Sequence, residues 1–151
     1  MINHIVDSEL DILVQAYRNE KKEIQKYNIG LNAFTDERAR DFFTKMISDE
    51  TLHMKMIRKH IEEIDKNFFE NFPDSEIIML KPNEAVKGSL KPIDFLRYSL
   101  FEEKMGAVFH YCVAKELKLK PLKEMFKELE AAEVAHINSL RYEIDYLMKQ
   151  K

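Results

Sequence analysis

The feature that most constrains the fold of this chain is a pattern that occurs twice. In each copy a glutamate is followed 30 residues later by a Glu-x-x-His motif, and the copies are offset by 83 positions. The six residues are Glu20, Glu50 and His53, then Glu103, Glu133 and His136. Positions i and i+3 of a helix share a face, so each motif presents a carboxylate and an imidazole together. Surrounding apolar positions match at the same offset, which predicts two helix hairpins of one design facing each other across a shared site.

Apolar residues around the motifs recur at spacings of three and four, as on the buried face of a helix. The pattern predicts an all-α fold in which two antiparallel helix hairpins are joined by a long crossover, with residues 1–151 forming a single domain. The predicted helices span about residues 7–33, 36–67, 91–117 and 121–148, and the crossover about 68–90. Asp7 or Ser8 would cap the first helix, and Thr35 or Asp36 would begin the second.

Composition excludes several classes of function. A net charge of -3 with mixed signs gives no case for nucleic-acid binding, and no apolar run approaches a membrane span. The first residues lack the basic and then apolar pattern of a secretory signal, and the single cysteine, Cys112, permits no disulfide within the chain. We therefore expect a cytoplasmic protein without a nucleic-acid or membrane partner.

The inward carboxylates predict a metal site. Four buried carboxylates at one level of a bundle must either take up protons or hold cations between them. Two divalent cations would cancel four carboxylates if both imidazoles are neutral, and this ligand set suits iron or manganese, with zinc as an alternative. Glu20, Glu50 and His53 would serve mainly one metal and the second set the other, with Glu50 and Glu133 as bridges. The alternative is a charged bundle that binds no metal.

At this point the chain resembles the ferritin-like di-iron carboxylate superfamily, and within it the rubrerythrin branch. The resemblance rests on Glu20 with Tyr27 seven residues later, on Glu103, and on the two Glu-x-x-His motifs, and it covers about residues 7–148. It implies a ferritin-like four-helix bundle with two iron ions. It also implies an oxidoreductase that reduces hydrogen peroxide or dioxygen, and a homodimer in which helices are sometimes exchanged.

Three departures from that pattern affect the expected function. Rubrerythrin itself carries a rubredoxin-like site with four cysteines, so electrons for this chain would come from an external donor such as a separate rubredoxin-like protein. The extra carboxylate ligand one turn after the third-helix glutamate is replaced by Gly106. The tyrosine expected seven residues after Glu103 is His110, so the two halves of the site differ chemically.

The sequence also predicts roles for several residues near the six ligands. Tyr27 and His110 would hydrogen-bond to ligand carboxylates and orient them, and His110 could also coordinate a metal or be a core histidine. Glu130, one turn before Glu133, is a possible extra ligand, whereas Glu102 would be solvated. Cys112 and the methionines at helical spacing are expected in the core.

Two other functions remain open for the chain. Ferroxidase sites use similar ligands, so iron binding or storage is an alternative, although storage requires a closed shell of many subunits. The second alternative is an inert helical bundle that retains a metal such as zinc.

Overall fold

The computed structural model describes residues 2–74 and 91–150, with side chains from residue 8 onward. All the regular structure in these ranges is helical, so the predicted all-α fold class is confirmed. The helices are α1 (Ile2–Ala33), α2 (Glu37–Ile64), α3 (Phe68–Asn71), α4 (Pro92–Glu116) and α5 (Lys120–Lys149). The chain divides into two compact units, Met1–Glu84 and Ala85–Lys151.

The first unit is built on the hairpin of α1 and α2. Its connection has only three residues, and the Asp36 side chain accepts a hydrogen bond from the backbone N–H of Ala39, which caps α2 as predicted. The Arg40 side chain donates to the carbonyl of Leu31 and so satisfies one of the last acceptors of α1. Tyr27 stacks on Phe43 with ring centroids 6.1 Å apart, which fixes an antiparallel pairing close to the turn.

The second unit is the hairpin of α4 and α5. Pro92 occupies the first turn of α4, where its missing N–H leaves no hydrogen bond unmade. The His110 and Phe126 rings lie 5.8 Å apart near the turn, whereas Arg97 reaches the Met148 sulfur at the other end, 3.8 Å away. One contact joins the end of α4 to the start of α5, and the other joins the start of α4 to the end of α5. The two helices are therefore antiparallel and pair along most of their length.

The internal repeat extends to the ends of the helices. Residues 34–36 connect the first pair and residues 117–119 the second, and these ranges are related by the offset of 83 found in the sequence. The first residue of each connection, Phe34 or Leu117, is buried. Every buried residue of α2 has a buried counterpart on α5 at the same offset. The repeat is thus one of structure as well as of sequence.

Several element boundaries differ from the predicted ones. Helix α1 begins at Ile2, so neither Asp7 nor Ser8 is its cap, and α2 ends at Ile64 because the next residue turns to extended backbone. The predicted crossover begins with the short helix α3, and its residues 75–90 lie outside the described residues. That residues 1–151 form a single domain stays a prediction.

Three side chains are not where their residue type alone would place them. Lys26, although charged, is only 1% exposed, and its ammonium group pairs with Glu23 at 2.5 Å and lies over the Tyr27 ring. Cys112 was predicted to lie in the core, and that prediction was wrong because the residue is exposed. Met105 is 53% exposed, although other methionines such as Met46 are in the core. The last two lie on the same helix, α4.

Candidate metal site

The first candidate ligand set lies on α1 and α2. Glu20 occupies the middle of the buried face of α1, between Tyr17 and Tyr27, and Glu50 occupies the corresponding place on α2. Both glutamates are at most 2% exposed. His53 follows Glu50 by one turn, so the antiparallel pairing brings it to Glu20 as well. The hairpin itself therefore assembles this triad.

The distances within this first triad suit a shared ion. The His53 Nδ1 atom lies 3.5 Å from a carboxylate oxygen of Glu50 and 3.8 Å from one of Glu20. One ligand atom from each residue lies within 4.8 Å of the others. Two atoms that each lie about 2.0–2.2 Å from one metal are separated by about 3–4 Å. The triad is therefore close to the spacing that a bound ion requires.

The second hairpin assembles the same set of residues. The His136 Nδ1 atom lies 3.4 Å from a carboxylate oxygen of Glu103 across the α4–α5 pair. Glu133 lies one turn before His136, and the ligand atoms of these three residues again fall within 4.8 Å of one another. All three side chains are at most 4% exposed. Each of the two compact units thus presents one arrangement of two carboxylates and an imidazole.

The charges of each triad match one divalent ion. Two ionised glutamates carry a charge of -2, and a neutral imidazole adds none, so a divalent cation brings the triad to neutrality. Buried carboxylates this close together repel one another strongly unless a proton or a cation lies between them. Each buried triad can hold a metal ion on these grounds, and the residues present fit such an ion.

Gly106 lies directly against the Glu133 carboxylate. A Cβ atom built at this position would be 3.3 Å from Glu133 Cδ and 3.3 Å from its Oε2 atom. Such contacts are tighter than normal packing, so the absence of a side chain at position 106 lets the carboxylate occupy its place beside α4. Since α4 is otherwise regular here, the glycine serves close approach rather than a turn.

The two residues expected to orient the ligands are both buried. Tyr27 is fully buried and His110 is 2% exposed, one on α1 and the other on α4 at the repeated position. Tyr27 packs on Phe43, whereas the His110 ring packs between Phe109 and Phe126. Their predicted hydrogen bonds to ligand carboxylates stay predictions. Tyr27 and His110, which make the two halves of the predicted site chemically different, are therefore both core residues.

The other acidic candidates lie beside the triads. Glu130 is half-buried one turn before Glu133, and it belongs to neither group of potential ligands among the described residues. Glu102 is half-buried rather than fully solvated. The role of Glu130 as an extra ligand stays a prediction.

A polar cluster at the far end of the first hairpin was missed by sequence reasoning. The Tyr17 hydroxyl donates to the Asp74 carboxylate, and the Lys21 ammonium lies 2.9 Å from the other oxygen of that carboxylate. Burial by itself would raise the pKa of Asp74, but the hydrogen bonds from Tyr17 and Lys21 outweigh it and the pKa is lowered. Arg58 lies over the Phe69 ring at 4.1 Å. These contacts fasten α3 and Asp74, three residues beyond its end, to the hairpin.

Burial and the Asp74 carboxylate both raise the pKa of Tyr17, so its hydroxyl remains protonated at neutral pH. The spacing of Tyr17 and Lys21 on one face of α1 was the only local sign of this cluster. Nothing in the sequence marks Asp74, which lies 53 residues from Lys21.

Comparison with known proteins supports the fold. No family model and no curated protein matches the chain. A solved structure of a hypothetical protein from Pyrococcus furiosus is similar, with a TM-score of 0.73 and 20% sequence identity. The likeness covers 94% of this chain and 91% of that one. At 20% identity this likeness shows the all-α bundle fold and says nothing about the function of the chain. Among the helices of residues 2–74 and 91–150, none combines the length and apolar character needed to span a membrane.

Proposed function

We propose that this chain is a non-haem di-iron protein of the ferritin-like, rubrerythrin-like type. The observation that carries the proposal is the recurrence of one buried Glu, Glu and His triad in both hairpins, with ligand atoms within 4.8 Å in each. A single such group arises by chance in a charged helical protein. Two copies at the same positions of a structural repeat are much harder to explain without a metal.

The two triads would join in one dinuclear centre. The repeat places them at the same level of their hairpins, and Glu50 and Glu133 would bridge the two ions because each lies one turn from its own histidine. Two divalent ions balance the four carboxylates, as one ion balances each triad. This is the ligand arrangement of the di-iron and di-manganese carboxylate bundles, in which two helices each supply a glutamate and the other two each supply a Glu-x-x-His motif.

We expect the metal to be iron, because carboxylate and imidazole ligands suit ferrous and ferric iron. Ions that prefer thiolate ligands would be bound less well by these residues. Manganese and zinc are the alternatives that metal analysis would reveal. When bound, ferrous iron supplies the electrons for the reduction of hydrogen peroxide or dioxygen.

The residues of the chain would hold, orient and shield the ions. The apolar residues packed around the buried carboxylates would keep bulk water from the site, and the first triad is the more open because the His53 side chain is 16% exposed against 4% for His136. A small oxidant would therefore approach from the His53 side. With Cys112 as the single cysteine, the chain has no rubredoxin-like site, so the electrons would come from an external donor protein.

The first test is the metal content and optical spectrum of the protein, as isolated and after anaerobic loading with ferrous iron. About two irons per chain, with near-ultraviolet bands of an oxo-bridged pair after oxidation, are expected. Stopped-flow oxidation by hydrogen peroxide and by dioxygen then separates the functions. Oxidation no faster than that of free ferrous iron would remove the oxidoreductase proposal, and zinc that persists after iron loading would favour the inert bundle.

Assembly size tests the storage alternative in the same preparation. A closed shell of many subunits that accumulates iron would support a ferroxidase of the storage type, whereas a small oligomer would exclude it.

A further inference from the structure

Ser99 is a buried polar residue near the second triad that the proposed function does not use. It lies on the buried face of α4, four residues before Glu103, and it is 0% exposed. Its hydroxyl has no hydrogen-bond partner among the residues that the structure describes. A serine or threonine within a helix normally points to solvent or donates to the carbonyl four residues earlier. Thr44 and Thr51 of α2 donate in this way, at 2.8 and 2.7 Å, whereas the Ser99 hydroxyl is left for another partner.

The internal repeat shows that the hairpin fold does not require this hydroxyl. At the offset of 83, Ser99 corresponds to Ala16 on α1, which is also 0% exposed. A small residue therefore suits both positions, and a methyl group is sufficient in the first hairpin. Burying a hydroxyl without a hydrogen bond costs free energy relative to alanine. Packing alone would thus favour alanine at position 99, so the hydroxyl has a use beyond the pairing of α4 with α5.

Ser99 lies between the second triad and an apolar layer of the hairpin. Glu103 follows it by one turn on the same face, and because helical side chains lean towards the N-terminus, the Glu103 carboxylate extends back over the turn of Ser99. The His136 Nδ1 atom lies 3.4 Å from that carboxylate. In the other direction, Phe95 is one turn before Ser99 and Leu140 is one turn beyond His136 on the antiparallel helix, and both are 0% exposed. The polar side of Ser99 is therefore the side of the triad.

We propose that Ser99 donates a hydrogen bond to a small oxygen ligand, water or hydrogen peroxide, that shares the second triad with a metal ion. The inference rests on the proposed function, because it requires an ion in this triad, and it adds a ligand-binding residue to that function. The ionised carboxylates of Glu103 and Glu133 can only accept hydrogen bonds, so they offer such a ligand no donor. A hydroxyl group both donates and accepts, and it can rotate to suit the protonation state of the ligand.

The proposal makes the two triads unequal in their binding of small ligands. Ala16 has no hydrogen-bonding group in its side chain, so the first triad lacks this donor, although its His53 side chain is the more exposed of the two histidines. A small ligand that accepts a hydrogen bond should therefore be held more tightly at the second triad.

The first experiment measures urea unfolding of the metal-free protein with Ser99→Ala. Ser48→Ala is the matched control, because Ser48 is an exposed residue within α2 and its replacement only adds helix propensity. The unfolding midpoint of Ser99→Ala should rise at least as much as that of the control, since the variant also removes a buried hydroxyl that has no partner in the metal-free protein. A smaller rise or a fall would mean that the hydroxyl makes a structural hydrogen bond, and it would overturn the proposal.

The second experiment titrates azide into the iron-loaded, oxidised protein and follows the azide-to-iron charge-transfer absorption. Azide is the probe because it is a small anion that accepts hydrogen bonds. Ser99→Ala should bind the same amount of iron as the wild type but bind azide about tenfold more weakly or worse, because hydrogen bonds to charged groups are the strong ones. Ser48→Ala should match the wild type in both measurements.

The two measurements separate this inference from the proposed function. Equal azide affinity in Ser99→Ala and the wild type, at equal iron content, would overturn the role of Ser99 and leave the metal site in place. A wild type that binds no iron would remove the proposed function and the role of Ser99 with it.

Discussion

Replacing Gly106 with alanine should affect folding and metal binding in opposite directions. The added methyl group would lie 3.3 Å from Glu133 Cδ and from Oε2, and 3.6 Å from Oε1. The carboxylate must therefore move by a few tenths of an ångström, since the position lies within a regular helix that cannot yield easily. A displacement of that size is larger than the tolerance of about 0.2 Å on metal–ligand distances.

The magnitudes follow from these two effects. Alanine in a helix interior is more favourable than glycine by about 1 kcal/mol, and the tight contact takes back part of that gain. We expect the free energy of unfolding of the metal-free protein to rise by about 0.5 kcal/mol. Disturbing the immediate surroundings of a metal ligand typically weakens binding by about 10–100-fold, so the affinity for ferrous iron should fall at least about tenfold. One substitution would thus stabilise the apoprotein and weaken the site.

The assay combines urea unfolding of the metal-free protein with anaerobic ferrous titration of the same variant. Asn138→Ala is the control, because this exposed α5 position gains helix propensity without lying on the buried face of the ligands. The control should gain stability and keep the affinity of the wild type. If Gly106→Ala bound iron as tightly as the wild type, the Glu133 carboxylate would not be a ligand in the position that the structure gives it.

Three further predictions test the site and its supports. Glu50→Ala should remove most of the bound metal measured by elemental analysis, whereas Glu102→Ala should retain it, and equal metal content in both would contradict the assignment of ligands. Because hydrogen bonds lower the pKa of Asp74 below 3.8, its contribution is present above that pH and is lost as the pH falls through its folded-state pKa. The protection factors of residues 68–74 in hydrogen exchange, which are corrected for the intrinsic rate at each pH, should therefore fall on acidification, and Asp74→Asn should lower them already at pH 6. Asp36→Ala removes the cap of α2 and should cost about 1 kcal/mol of unfolding free energy in a thermal or urea titration, with no change in metal content.

The ligand triads were predictable because their pattern is local in each helix and repeated in the chain. An i to i+3 pair fixes Glu50 and His53 on one face without any knowledge of the fold. A connection of three residues then leaves the antiparallel hairpin as the simple solution, which places Glu20 opposite them. The offset of 83 transfers the same reasoning to α4 and α5. Each triad could therefore be predicted from the sequence with few assumptions.

Other features were not predictable because they depend on partners far away in the chain. Lys26 looked like a surface residue from its charge, and its burial follows from the pairing with Glu23 and the contact with the Tyr27 ring. Asp74 binds Tyr17 and Lys21 across more than 50 residues with no periodicity to signal it. The start of α1 at Ile2 was missed because Asp7 and Ser8 are good caps, yet these residues continue the helix.

Because of the internal repeat, the two hairpins can be compared position by position. Positions that hold the same residue in both, the triads above all, reflect what both hairpins must do, because nothing in helix pairing alone requires a buried carboxylate. Positions that differ reveal separate tasks. Tyr27 corresponds to His110 within the core, and Lys22 corresponds to exposed Met105 on the outer face of α4. The shared positions thus support the proposed metal site, and the unshared ones show where the two hairpins differ.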